Sequence, residues 1–380
     1  ESSFDSADQP RLAALMYPDA PSSKFDMAAR WNTWAFFFAD FFDETFQLRR
    51  DLVGAKAFLD RLPAFMPISH PEAVPVPTNL VERGLADLWS RTAPAMPAHW
   101  RRWHSESFQR FARSLLWEIL NLIKNRIPDP VDYVEMRRQT NALEVPMLLL
   151  HYVQDLEIPP EVYSSRPMRA LVESVLDWGG LTNDIFSYQK DVEQREIHNG
   201  VLVIQRFLDC DFPQAVTITN DLVTSRLRRF EHIVATELPS LVAELGLDAT
   251  GQENIDRYVQ GLQDLVAGLA HYYLTTNRYE PTTRPCTTSE TGTPPIPPPV
   301  RLPFGLTGLG TAAARIGPAY GGVVVTAPAS VTAPTLVWLP AIHSNAVAAY
   351  EAYQSQAPTL VWSPSSEPAP GIELGRESDL

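Results

Sequence analysis

Cysteine is nearly absent from this chain of 380 residues. Cys210 and Cys286 are the only two, and neither has CxxC or metal-ligand spacing. A disulfide-built secreted scaffold is therefore excluded, and a reducing, cytoplasmic compartment is expected. Basic charge is scarce too: 31 lysines and arginines stand against 45 acidic residues, a formal net charge of −14. A nucleic-acid surface needs a basic stripe to displace counterions, so nucleic acid is not an expected partner. The same field repels an anionic substrate unless bound cations reverse its sign locally. No run of eighteen apolar residues exists, so no membrane span is expected. Glu1-Ser2-Ser3-Phe4 carries neither the basic nor the apolar part of a secretion signal. Without an opening methionine, the chain is expected to be trimmed or partial at its start.

Proline is abundant but unevenly placed. Of 34 prolines, 16 fall in residues 281–380, a stretch with only ten charged side chains. Pro294-Pro295-Ile296-Pro297-Pro298-Pro299 fixes φ and removes backbone donors, so it reads as extended chain. Ala333-Pro334-Thr335-Leu336-Val337-Trp338 recurs as Ala357-Pro358-Thr359-Leu360-Val361-Trp362, one repeat pair. Residues 281–380 are expected to be a proline-rich linker and largely disordered tail. Residues 1–280 instead carry apolar residues at three- and four-residue spacing, which predicts an all-α domain of about ten helices. The predicted helices include Trp31 to Leu52, Trp100 to Asn125, Val131 to Gln154, Pro167 to Asp191, Gly200 to Asp209, Pro213 to Leu238 and Asn254 to Thr276.

Two acidic segments stand out. On a helix, Asn183, Ser187 and Asp191 fall at i, i+4 and i+8, placing an amide oxygen, a hydroxyl and a carboxylate on one face with Lys190 beside them. Hard oxygen ligands of this kind suit Mg2+, which is often completed by substrate phosphates. A lone polar triplet is usually a solvated face, but this one follows Asp177-Trp178-Gly179-Gly180, where two glycines permit close approach on an apolar helix. Asp40, Asp43 and Glu44 sit at i, i+3 and i+4 among Phe36, Phe37, Phe38, Phe41 and Phe42, so an α-helix puts the three carboxylates on one face. Buried among aromatics, such charges need a metal or another counterion. Most of these phenylalanines are expected to be core, although aromatic faces also stabilise cations. Arg137 and the Arg278-Tyr279 pair are candidate phosphate contacts, with low specificity taken singly.

In this order and spacing, the four elements resemble class I terpene synthases over about residues 10–280. The wording is most similar to the N-terminal half of bacterial germacradienol/geosmin synthases. Tyr17-Pro18-Asp19-Ala20-Pro21, Val81-Glu82-Arg83-Gly84-Leu85-Ala86-Asp87-Leu88-Trp89, Tyr133 to Arg138, Asn183 to Tyr188 and His198-Asn199-Gly200-Val201-Leu202-Val203 carry the likeness. The resemblance implies a class I terpene synthase helical bundle in which three Mg2+ ions bridge two acidic helices and the diphosphate of a prenyl substrate, farnesyl diphosphate. It assigns one metal to Asn183, Ser187 and Asp191, and the others to Asp40 with Asp43 or Glu44. It makes Arg137 the diphosphate sensor, Lys190, Arg278 and Tyr279 contacts to the departing diphosphate, and Asn141 the effector position.

Three positions depart from the family pattern. Ala39 stands where the first metal-binding aspartate is usual, Asp191 is one methylene shorter than the usual glutamate, and Asn141 replaces a common glycine. The expected function is a Mg2+-dependent sesquiterpene cyclase forming a germacradienol- or germacrene-type product. The alternative is a degenerate, non-catalytic homologue that binds diphosphate weakly because of Ala39. A chain-elongating prenyl diphosphate synthase would carry two aspartate-rich motifs, and the Asn/Ser/Asp row argues against it.

Overall fold

Short polar side chains set the helix boundaries. Asn79 Oδ1 accepts the Glu82 amide at 2.9 Å, Asp129 accepts those of Val131 and Asp132, and Asp211 with Gln214 forms a reciprocal capping box. Several helices end on a residue in the left-handed region: Asn125 at φ 49°, Asp155 and Asp209 at 52°, and Gly246 at 61°. The computed structural model describes residues 8–276 and 278. Residues 281–380, including the polyproline run and the repeat, lie outside the described residues, as does Tyr279.

Thirteen α-helices and no strand occur among the described residues. They are α1 (Gln9–Met16), α2 (Ser22–Phe42), α3 (Leu52–Arg61), α4 (Leu80–Thr92), α5 (Ala98–Lys124), α6 (Pro130–Thr140), α7 (Glu144–Gln154), α8 (Pro160–Tyr163), α9 (Arg166–Glu193), α10 (Gly200–Leu208), α11 (Phe212–His232), α12 (Leu238–Leu245) and α13 (Ala249–Thr275). The all-α expectation holds, and three helix boundaries are corrected, one of them at His232, where the helix expected from Pro213 to Leu238 passes into a π-turn over Ile233–Glu237. The stretch expected as one helix from Val131 to Gln154 breaks at Ala142, whose φ of 58° no α-helix admits. The helix expected from Trp31 to Leu52 begins at Ser22 and leaves α geometry after Phe42, giving a π-turn over Asp43–Gln47. That wider turn seats Phe46 on Phe42 and Phe58, with ring centroids 5.5 and 5.2 Å apart.

Helix α9 is central, packing against α6, α10, α11 and α13, while α2 packs on α1, α4 and α7. Tryptophan pins these elements together. Trp31 Nε1 donates to Thr92 Oγ1, and Trp34, Trp89 and Trp100 donate to the carbonyls of Val81, Pro67 and Leu148, all at 2.8–3.0 Å. Each indole thereby buries its ring without stranding its N–H. Phe38 and Phe42 are fully buried core, whereas Phe36, Phe37 and Phe41 are half-buried, as expected for a mostly structural cluster. Among the described residues no helix is long and apolar enough to cross a membrane.

The end of α1 lies directly on α13. A Cβ at Gly268 would stand 2.3 Å from the Leu15 carbonyl oxygen, which is backbone and cannot swing aside. Gly268→Ala is therefore expected to lower unfolding free energy by about 1–3 kcal/mol in urea titration. An unchanged midpoint would show that α1 yields freely.

Candidate active site

Helix α9 aligns its polar row as its period requires. Ser187 Oγ donates to Asp191 Oδ2 at 2.5 Å, and Lys190 Nζ stands 3.5 Å from Asp191 Oδ1. One turn earlier, Asn183 Oδ1 accepts from an Arg137 terminal nitrogen at 2.8 Å. The expected ligands Asn183, Ser187 and Asp191 therefore form one connected face, with Arg137 on it.

Arg137 is held from behind by a residue not singled out in the sequence. Asp184, wholly buried, accepts from Arg137 Nε at 3.0 Å, the Tyr133 hydroxyl at 2.7 Å and the Gly200 amide at 2.9 Å. Burial pushes the Asp184 carboxyl upward, and these donors oppose it. For Arg137, burial works against the charge, but Asp184, Tyr133, Glu118 and Asp191 together outweigh it and hold the guanidinium protonated. The neighbouring Arg138 and Arg226 both bind the buried carboxylate of Asp177, tying α6 and α11 to α9.

The helix break beside Arg137 depends on the glycine pair of α9. A Cβ at Gly180 would meet Arg137 Cγ at 2.9 Å and Asn141 Nδ2 at 3.1 Å, and one at Gly179 would meet Leu143 Cδ1 at 2.1 Å. The close approach expected of these glycines is thus made. Asn141 shapes the break: its Nδ2 donates to the Leu176 carbonyl at 2.8 Å and its Oδ1 accepts the Leu143 amide at 2.9 Å.

The C-terminal end of α2 lies within the electrostatic reach of this face through Lys190. Asp40 is half-buried; burial raises its pKa, with Arg278 and Lys190 opposing and Glu44 adding. The Arg278 guanidinium lies over the Phe36 ring at 4.8 Å, one turn before Asp40. Asp43 and Glu44 are solvent-accessible and open the π-turn, and Asp40 interacts electrostatically with Glu44 and with Asp43. Burial, then Glu118, Glu196 and Asp40, push the Asp43 pKa up to about 7, against the pull of Lys190. Lys190 thus lies within the field of both acidic segments.

Glu118 on α5 was also missed, although a lone acid inside Leu115-Leu116-Trp117-Glu118-Ile119-Leu120 was a readable signal. Burial and Glu196 raise its pKa to about 7, with His198, Arg137 and a hydrogen bond from Thr140 opposing. Glu196 Oε1 binds His198 Nδ1 at 2.6 Å, and Gln47 Nε2 of the π-turn donates to Glu196 Oε2 at 2.8 Å. Among the described residues no three Asp, Glu, His or Cys side chains converge tightly enough to hold a metal unaided. The donor set still fits a hard cation: Asn183, Ser187 and Asp191 offer oxygens in one row, and the raised carboxyls of Asp43 and Glu118 mark a site with surplus negative charge.

Comparison with known proteins gives consistent matches. The family profile "Terpene synthase family 2, C-terminal metal binding" matches residues 30–229. Pristinol synthase of Streptomyces pristinaespiralis is 28% identical over 280 residues, 73% of this chain and 74% of that enzyme. The (+)-T-muurolol synthase ((2E,6E)-farnesyl diphosphate cyclizing) of Roseiflexus castenholzii is 30% identical over 271 residues, 71% and 80% of the two chains. Among solved structures, germacradien-4-ol synthase from Streptomyces citricolor superposes with a TM-score of 0.64 at 25% identity, covering 72% of this chain and 85% of that one.

The crowded carboxylates set a pH dependence measurable on the protein alone. The pKa of Glu118 rises on folding from 4.5 to about 7, so the folded state binds this proton more tightly than the unfolded chain. That contribution to stability is full below about pH 4.5 and is lost as pH rises through about 7. His198 has the same sign: burial lowers its pKa, but the Glu196 hydrogen bond and Glu118 raise it overall. The Tm is therefore expected to fall between about pH 5 and pH 8, and Glu118→Gln to flatten that fall. An equal fall in the variant, by scanning calorimetry, would refute the assignment.

Proposed function

The chain belongs to terpene synthase family 2, a metal-binding family of sesquiterpene synthases, and on that footing we propose that it ionises farnesyl diphosphate with Mg2+ and cyclises the cation to a germacradienol- or germacrene-type product. The observation that carries this reading is the join between Arg137 and Asn183: an anion-binding guanidinium and a row of metal-type oxygens on one face, whose Lys190 acts on Asp40 and Asp43. The substrate is supported by the farnesyl diphosphate named for the Roseiflexus relative, and the product class by the germacradien-4-ol synthase likeness.

In this reading Asn183, Ser187 and Asp191 hold one Mg2+, and Asp40 with Asp43 or Glu44 holds two more. When bound, Mg2+ neutralises the diphosphate and makes it a better leaving group. The protein's own cations do the remaining anion work. Arg137, kept protonated by Asp184, binds diphosphate oxygens, with Lys190 and Arg278 adding charge from either side. Tyr279 is assigned the same task and lies outside the described residues. Asn141 orients the break, where Ala142 borders an apolar crevice of about 30 Å3 lined also by Trp34, Ala35 and Phe111.

Ala39 favours a second reading, a non-catalytic homologue that binds diphosphate weakly. Incubating purified protein with farnesyl diphosphate and Mg2+ and analysing volatiles separates the two. A hydrocarbon or alcohol above the no-enzyme control supports the cyclase, whereas diphosphate binding by calorimetry without product supports the second reading. If turnover is found, Ala39→Asp is expected to raise it. An unchanged rate would show that Asp40 already fills the missing ligand's place.

A further inference from the structure

Asn199 has no part in the roles assigned above, yet it joins the α9 row at its back. The residue is wholly buried between α9 and α10, and its two ends do separate work. Oδ1 caps α10, accepting the amides of Val201 at 3.0 Å and Leu202 at 3.4 Å. Nδ2 donates to the Asp184 carbonyl at 2.7 Å and to Asp191 Oδ2 at 3.0 Å, and lies 3.5 Å from Ser187 Oγ.

Asp191 is therefore asymmetric. Its Oδ2 takes two donors, from Ser187 at 2.5 Å and from Asn199, while Oδ1 meets only Lys190 at 3.5 Å. We infer that Asn199 is a positioning residue for the metal row: by holding Oδ2 it fixes the Asp191 carboxylate so that Oδ1 is the oxygen offered to a divalent cation. The inference rests on reading that row as a metal site. Asn199 is itself rigidly placed, because the adjacent Gly200 amide binds Asp184 Oδ2 at 2.9 Å. A short aspartate has little reach to spare, so a carboxylate free to rotate would present its ligand oxygen only part of the time. Hydrogen bonds that orient metal ligands typically change affinity by about 10–100-fold.

Serine and threonine also cap helices, so Asn199→Ser and Asn199→Thr keep the cap and remove the Nδ2 amide that donates to Asp191 and to the Asp184 carbonyl. Calorimetric titration of the full chain with Mg2+ in the presence of inorganic diphosphate is the test. The variants are expected to unfold near the wild-type midpoint without metal, yet to bind Mg2+ about 10–100-fold more weakly. In an Asp191→Asn background the same substitutions are expected to have no further effect, which a merely structural role would not produce. Stable variants that bind Mg2+ as tightly as wild type overturn the inference alone. Wild-type protein that binds no Mg2+ overturns the metal reading of the row and the inference with it. Should neither variant fold, a crystal structure of the full chain with Mg2+ and diphosphate decides. Asn199 Nδ2 bonded to Asp191 while the other oxygen ligates the ion supports the inference, and an Asn199 amide turned away from Asp191 overturns it.

Discussion

A carboxylate taken fully out of water must have its charge and lone pairs met, and the architecture around Asp184 meets them from three directions. Tyr133 and Arg137 reach it from α6, and Gly200 from the start of α10. Breaking such a buried pair by removing one partner typically costs about 3–5 kcal/mol, because the other charge is left stranded. The position of the guanidinium, the seat of α10 and the entry of the loop after α9 are therefore set together. The face that carries Asn183 inherits its order from this buried ion pair, through the Arg137 bond to Asn183 Oδ1.

The acidic face works under the reverse condition. Asp40, Asp43, Glu118 and Glu196 lie within one another's fields, and burial first, with their mutual repulsion adding to it, raises the carboxyls of Asp43 and Glu118. Such crowding works against the folded state and is characteristic of sites built for a missing positive charge. One face is thus internally neutral, and the other carries an excess of acid.

What could be read from the sequence was local. The Asn183, Ser187 and Asp191 row follows from helical period alone, and the Gly179-Gly180 approach from the absence of two side chains. The break at Ala142 was not legible, because Val131 to Gln154 keeps an apolar helical pattern across it. The Asn141 contacts and the glycine pair on α9 shape that break, and both are tertiary. The π-turn escaped for a similar reason: Phe46 leaves α register to reach Phe58, a residue on another helix. Asp184 lay in plain view between Asn183 and Ile185, but its partners sit 51 and 16 positions away, at Tyr133 and Gly200.

The π-turn at Asp43–Gln47 has a meaning beyond packing. A π-turn is what one inserted residue does to an α-helix: the element continues, but every side chain after the insertion is re-aimed by about a quarter turn or more. The chain following Gln47 therefore leaves in a direction that no substitution within a regular helix could give it. A change of chain length by one residue thus re-aims Leu48, Arg49 and Arg50 while leaving the aromatic core before the turn in place.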